Sequence, residues 1–301
     1  MYTAEEVKIM NFGDIFSMLY GCICKRLIEE FGFEGERAVR RGTRYYGRYR
    51  GLAEQKVHLE NGLKINLENL FTRFYDLPTD PRFRRELQWI NPQERVSRSL
   101  VCPMADIWKA YGLQTIGRIY CEEFHPACYG SYAFDQTYVY LGRTLTQDGD
   151  EYCEFNLKLR PENMPEELRA KCFAEYDPDY VEPEVHDEPI EPRYGFGNIA
   201  LYVYYGLLKA ASEVLGSAGE ECVTMALKDA ANVTVEIIRK HAEENGAEMD
   251  LSYAEDNSLF RFSAWNNPKW TDELTDYQAR ERFEEMYCKN VQQAFSQASQ
   301  A

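Results

Sequence analysis

The chain is short of histidine, short of positive charge and empty of the common catalytic signatures. Only four histidines occur in 301 residues: His58, His125, His186 and His241. There is no phosphate-cradling glycine loop, Gly-x-Ser-x-Gly elbow, His-Glu-x-x-His pair or Rossmann fingerprint, so none of those chemistries has a motif to rest on. With 34 bases against 50 acids the formal net charge is −16. A nucleic-acid backbone or an anionic membrane surface wants the opposite sign, which leaves a small molecule as the expected partner. The longest apolar stretch, residues 199–208, is too short to span a bilayer, and residues 1–10 show no apolar leader. Nine cysteines without one Cys-x-x-Cys pair exclude a zinc ribbon or a thioredoxin-type motif. They point instead to free thiols in a reducing, cytoplasmic setting. Oligomeric state is left open.

What is present is a globular composition, 45% hydrophobic and 14% aromatic, with 22 tyrosines. Three segments stand out. Residues 1–159 mix long helical patterns with strand-like alternation. Residues 160–197 hold half of the 12 prolines amid acidic residues and read as an extended, solvated connector, with a short helix near 165–173. Residues 198–301 look mostly helical.

In the first segment Ile15, Phe16, Met18, Leu19, Ile23, Leu27 and Phe31 lay one apolar stripe on a helix, with Gly32 at its C-terminal cap. A second helix is expected from Glu34 to about Leu59, ending at Asn61-Gly62. Its Arg37, Arg40, Arg41, Arg44, Arg48 and Arg50 read most simply as a solvated basic face. A short helix near Leu67–Tyr75 is followed by a strand at Val96–Cys102 and a helix that starts at Pro103. Residues 115–124 resume helical spacing and should stop before Pro126. Tyr138–Leu145 and Tyr152–Leu159 read as two strands joined by a turn at Asp148-Gly149-Asp150, with Cys153, Phe155, Leu157 and Leu159 on one face.

The third segment echoes the first at a constant shift of 184 residues. Gly32 falls on Gly216, Gly35 on Gly219, Glu36 on Glu220 and Gly62 on Gly246, without a gap from residue 15 to 62. Glycines at matching helix ends carry weight, because other residues fill such positions poorly. Tyr120-Cys121 pairs with Tyr287-Cys288 at a changed offset, and nothing replaces the closing strands. The expected fold is therefore mixed α+β. A helical hairpin packs on a small antiparallel sheet, and a mostly helical, degenerate partial repeat follows to form a pseudo-dimer within one chain.

Arg118, Cys121 and His125 share one helix face, a spacing that suits a thiolate nucleophile beside a base. The plainer reading makes Cys121 a small buried hydrophobe and His125 a helix stop. Cys102, Cys121, His125 and Cys153 also form a conceivable Cys₃His zinc set, although zinc sites favour close pairs; no cofactor is otherwise expected.

The runs Cys102-Pro103-Met104-Ala105-Asp106-Ile107-Trp108, Tyr120-Cys121-Glu122, Arg143-Thr144-Leu145 and Gly149-Asp150-Glu151-Tyr152-Cys153-Glu154-Phe155 resemble, in that order, the 2-amino-thiazoline-4-carboxylate hydrolase family. Phe33-Glu34-Gly35-Glu36, with the arginines after it and Gly42, resembles its N-terminal part. The chain departs from the pattern at His125, where an acid is expected. The resemblance spans residues 15–159 and implies a hydrolase that opens a small cyclic, amidine-like C–N bond, giving an N-carbamoyl-cysteine type of product. On that reading Arg118 or Arg143 holds the substrate carboxylate, and Glu122, Asp150 or Glu154 faces its cationic end. Cys121 or Cys153 is the thiol, with His125 as base. Cys102, at a helix N-terminus, is placed for a lowered pKa. The rival expectation is a non-catalytic module that binds a small ligand or partner in the same cleft.

Overall fold

The computed structural model describes residues 2–262 and 277–298, so part of the 198–301 segment lies outside the described residues. The chain opens with α1 (Ala4–Glu60), started by a capping box in which Thr3 and Glu6 satisfy each other's backbone N–H groups. Inside it, Gly32 takes φ 55° and ψ −125° and splits the helix into the two expected arms. That conformation belongs to glycine. The second arm ends at Asn61, and α2 (Leu67–Thr72) follows, N-capped by Asn66.

Strands β1 (Arg84–Asn91), β2 (Glu94–Val101), β3 (Tyr138–Leu141) and β4 (Cys153–Lys158) make one antiparallel sheet in the order β1-β2-β4-β3. Strand β1 is not evident in the sequence. Two register irregularities break its alternation, and its side chains from Arg84 to Trp89 are exposed. Between the hairpin halves lie α3 (Pro103–Ala110) and α4 (Gln114–Tyr132).

Contrary to the expected stop, α4 runs straight through Pro126. The reason is packing. Gly47 and Gly51 of α1 bring that helix within van der Waals range of the α4 backbone at Phe124 and Cys128, and a Cβ at either glycine would collide with it. Tertiary contact here outweighs the local cost of an interior proline. The arginine-rich arm of α1 is solvated at Arg37, Arg41, Arg44 and Arg48, as expected, but its charges are also paired. Arg40 pairs with Glu122 and Glu123 at 2.9 Å, and Arg44 with Glu123 at 2.7 Å. Arg48 reaches Asp135 just past α4, and Arg41 reaches Glu213. The arm is basic because it docks onto acids from two directions.

Two cores result. The larger joins α1, α3 and α4 to the helices of the third segment, α6 (Pro192–Leu215) and α7 (Ser217–Glu244), then α8 (Leu251–Asp256), α9 (Tyr277–Phe283), a π-helical turn at Glu284–Cys288 and α10 (Lys289–Ala298). The smaller packs Leu157 and Leu159 of the sheet end against Ile65, Leu67, Tyr132, Met164, Cys172 and Phe173. The first part of the proline-rich segment, including α5 (Glu166–Cys172), is thus anchored rather than solvated. Each fully buried side chain of this kind contributes about 1.5–3 kcal/mol. His58 and His241, late in the paired helices, are both buried. His58 donates from Nε2 to the Arg73 carbonyl and accepts the Tyr132 hydroxyl at Nδ1, while His241 Nε2 meets Asp14 at 2.9 Å. By length and composition α1 contains a window apolar enough to cross a membrane, but most of that window is buried inside the protein.

The 184-residue shift relates local devices as well as letters. Gly216, at φ 65° and ψ −150°, breaks α6 from α7 as Gly32 breaks α1. Gly62 and Gly246 both take positive φ. Asp250 caps α8 as Asn66 caps α2.

Candidate active site

The inward face of the sheet is divided between two jobs. At one end β4 packs into the smaller core. At the other, Cys153 and Phe155 of β4, Arg95, Ser97 and Ser99 of β2 and Arg85 of β1 face a cavity of about 150 Å³. The period-2 alternation of a strand puts these residues on one side. The cavity is closed by Cys102 at the head of α3, by Tyr120, Cys121, Phe124, His125 and Cys128 of α4, and by Arg50 and Glu54 of α1. A cavity of this volume holds one small ring molecule.

Three thiols distant in sequence, Cys102, Cys121 and Cys153, therefore meet around one space with His125. All nine cysteines are unpaired. Two of the three thiols accept a hydrogen bond, while Cys102, at the start of α3, makes no side-chain cap. The Leu145 N–H serves Cys153 at 3.2 Å, and the Thr146 hydroxyl serves Cys121 at 3.8 Å. The Arg143-Thr144-Leu145 run is thus the base of a loop that holds two sulfurs.

Those donors favour a thiolate, yet burial dominates. It pushes Cys102 up to about 12, overturning the lowered pKa expected from its helix N-terminus, and raises Cys121 and Cys153 as well. The mutual proximity of the sulfurs adds to the rise at Cys121 and Cys102. All three stay protonated at neutral pH.

His125 moves the other way. Burial first, then the charges of Arg50, Arg85 and Arg95, depress it to about 3, so the imidazole is neutral. Its ring packs among Phe124, Tyr129 and Phe155, and its Nδ1 is buried without a hydrogen-bond partner. Behind it, Arg50 forms a bidentate pair with Asp76, at 2.5 Å on both arms, and lies 3.8 Å from Glu54. Glu54 is held well above the ordinary carboxylate range, by burial first and then by the charge of Asp76, to which it also hydrogen-bonds. Glu54 is thus biased toward its protonated acid form, and it lines the same cavity as the neutral imidazole. Environments that push two titratable groups apart in this way suit an acid and a base in one site.

The other residues expected to hold substrate stand elsewhere. Arg118 and Glu122 pair with each other at 2.7 Å on the outside of α4, where Glu122 also holds Arg40. Arg143 lies over the Tyr152 ring. Asp150 accepts from the Thr144 N–H and closes its loop. Glu154 alternates away from Cys153 along β4. None of the five lines the cavity. Nor do the thiols and His125 converge as ligands: among the described residues no group of three or more His, Cys, Asp or Glu side chains stands in position to hold a metal ion.

Sequence reasoning missed Arg50, Glu54, Asp76, Arg85 and Arg95. A signal existed in Arg95-x-Ser97-x-Ser99, whose polar side chains occupy the inward register of a strand. At the 184-residue shift the positions of Arg50, Glu54 and Asp76 carry Thr234, Ile238 and Phe260, all buried. The polar triad belongs to the first half alone.

Residues 13–157 match the profile of a family described as L-2-amino-thiazoline-4-carboxylic acid hydrolase. No curated protein and no solved structure matches the chain. The matched stretch runs from α1 through β4 and carries every residue lining the cavity except Phe196 and Ile199 of α6.

Proposed function

We propose that the cavity is the active site of a hydrolase that opens a small cyclic isothiourea such as 2-amino-thiazoline-4-carboxylate. The observation that carries the reading is the gathering of His125, Glu54 and four thiols around one small space built from the family-matched stretch. Neutral His125 removes a proton from water as the water oxygen bonds to C2, and the electrons of the C=N bond move to nitrogen. The adduct then collapses. For an N-carbamoyl-cysteine type of product the ring bond that breaks is C2–S, and the departing sulfur takes a proton from the Glu54 carboxylic acid. The ring nitrogen takes the proton held by His125, and the adduct's hydroxyl proton, released as the C=O forms, returns to Glu54, so one water is consumed and one thiol released. Cys121 and Cys153 border the reacting centre and supply polarisable S–H donors to the ring.

The test is turnover of the thiazoline carboxylate, followed by released thiol. A His125→Gln variant should lose about 10²–10⁴-fold in kcat, the usual worth of a positioned base. Retention of full activity by Cys121→Ala and Cys153→Ala would be consistent with water as the nucleophile. Loss in either folded variant would move the attack to that sulfur. No ring opening by the wild-type protein sinks the hydrolase reading.

A second reading, a binding module without catalysis, is favoured by one observation: every thiol at the cavity is pushed toward its protonated form. Saturable binding without turnover would establish it.

A further inference from the structure

Several arginines of this chain are matched by acid, as Arg40, Arg44, Arg48, Arg50 and Arg82 show. Two that face the cavity are not. Arg95 of β2 is largely enclosed, with its guanidinium 4.0 Å from the centre of the Phe71 ring and its Nε buried without a hydrogen-bond partner. Arg85, on the neighbouring β1, lies over Phe83 at 4.3 Å. Among the described residues neither has a carboxylate within ion-pairing distance, in a protein with 16 more acids than bases. Each also carries its charge close enough to act on His125, and Arg85 acts on Cys102 and Cys153 besides.

Two like charges beside one cavity, one of them largely enclosed, are an arrangement that a bound anion would complete. We infer that Arg85 and Arg95 form an anion subsite that takes the carboxylate of a small ring acid and turns its ring toward His125 and the thiols. The aromatic faces of Phe71 and Phe83 hold the guanidinium planes in place, so the fork geometry of arginine is pre-set for a planar, two-oxygen group. An anion here also replaces the repulsion between the arginines by attraction, and it reduces the positive field at His125. The imidazole becomes a stronger base when the carboxylate is in place. Substrate class and base strength are thereby tied to one contact. The inference rests on the cavity being a ligand site and not on hydrolysis taking place there.

Binding is read by calorimetry with L-thiazolidine-4-carboxylate, a saturated ring with no C=N bond to hydrolyse, against thiazolidine, the same ring without the carboxylate. The wild-type chain should prefer the acid by at least about tenfold, and Arg95→Gln should weaken the acid by about 10- to 100-fold while leaving the neutral ring unchanged. Arg95→Lys should recover part of the loss, which a merely structural role would not predict. If Arg95→Gln fails to fold, Arg85→Gln on the exposed strand carries the test with the same expected direction. Equal affinity for the two rings, or wild-type affinity for the acid in both arginine variants, overturns the subsite. Carboxylate binding without ring opening of the thiazoline would sink the hydrolase and leave this inference standing. Ring opening with no arginine dependence would do the reverse.

Discussion

Glu54 and His125 border the same cavity and titrate in opposite senses, which makes their environments measurable. Glu54 keeps its proton in the folded chain well above the pH at which it ionises when unfolded, about 4.3. Between those limits the native state binds more protons, so this group's contribution is complete below about pH 4.3 and is lost as pH rises toward the folded pKa. Glu54→Gln removes the titration. Relative to wild type it should gain up to about 1.4 kcal/mol per pH unit from pH 5 upward, read by urea denaturation. A constant difference across that range would mean that Glu54 is ionised in the fold. For His125 the native state binds fewer protons between about 3 and the ordinary value near 6.5, so its contribution is lost as pH falls through that window. His125→Gln should be less acid-sensitive than wild type below pH 6.5. Neither behaviour was visible from spacing. In the sequence Arg50 reads as one more residue of a basic face, and His125 as a helix stop before a proline.

At the level of elements, two breaks in the long helices rest on glycine alone. A Cβ added at Gly32 or Gly216 meets nothing within 4 Å, so a substitution there acts through backbone strain and not through packing. Gly32→Ala and Gly216→Ala should each destabilise by about 1–3 kcal/mol in chemical denaturation. A change below a few tenths would show that the kinks are set by the contacts of the arms and merely tolerated by glycine. These breaks were readable because Gly ends a helix for a local reason. The run of α4 through Pro126 was not. Its cause is the approach of Gly47 and Gly51 from a helix about 75 residues earlier, and local rules about proline contain no term for that neighbour. Strand β1 escaped for a related reason, since its irregular register removes the alternation that marks a half-buried strand.

At the scale of the molecule the third segment builds part of the site. Phe196 packs its ring against Phe12 and Phe16 and, with Ile199, lines the cavity formed by the first segment. Phe196→Ala should enlarge the space and extend binding to bulkier ring acids, with a stability loss of about 3–5 kcal/mol. Unchanged size preference in a folded variant would remove α6 from the list of specificity elements. The halves also meet through Asn11 and Asn257 at 2.8 Å, Asp14 and His241, Arg26 and Asp229, and the close approach of Gly42 to Gly206 and Leu207. We propose that these contacts are the seam of a pseudo-dimer arising by duplication. Nicking the chain between residues 177 and 191 should leave the two pieces together in gel filtration at ordinary salt, and separation would refute that arrangement.

The sequence alone determined the helical arms, their glycine breaks, three of the four strands and the family resemblance, because helix caps, alternation and short motifs are properties of neighbours along the chain. It also supplied the three thiols and His125 as candidates. Only the tertiary structure decided that these four face one cavity, that burial keeps the thiols protonated and the imidazole neutral, and that Arg85 and Arg95 line that cavity while Arg118 and Arg143 do not. Charge and burial at a site are sums over side chains that the fold brings from distant positions, and no spacing within one element contains them.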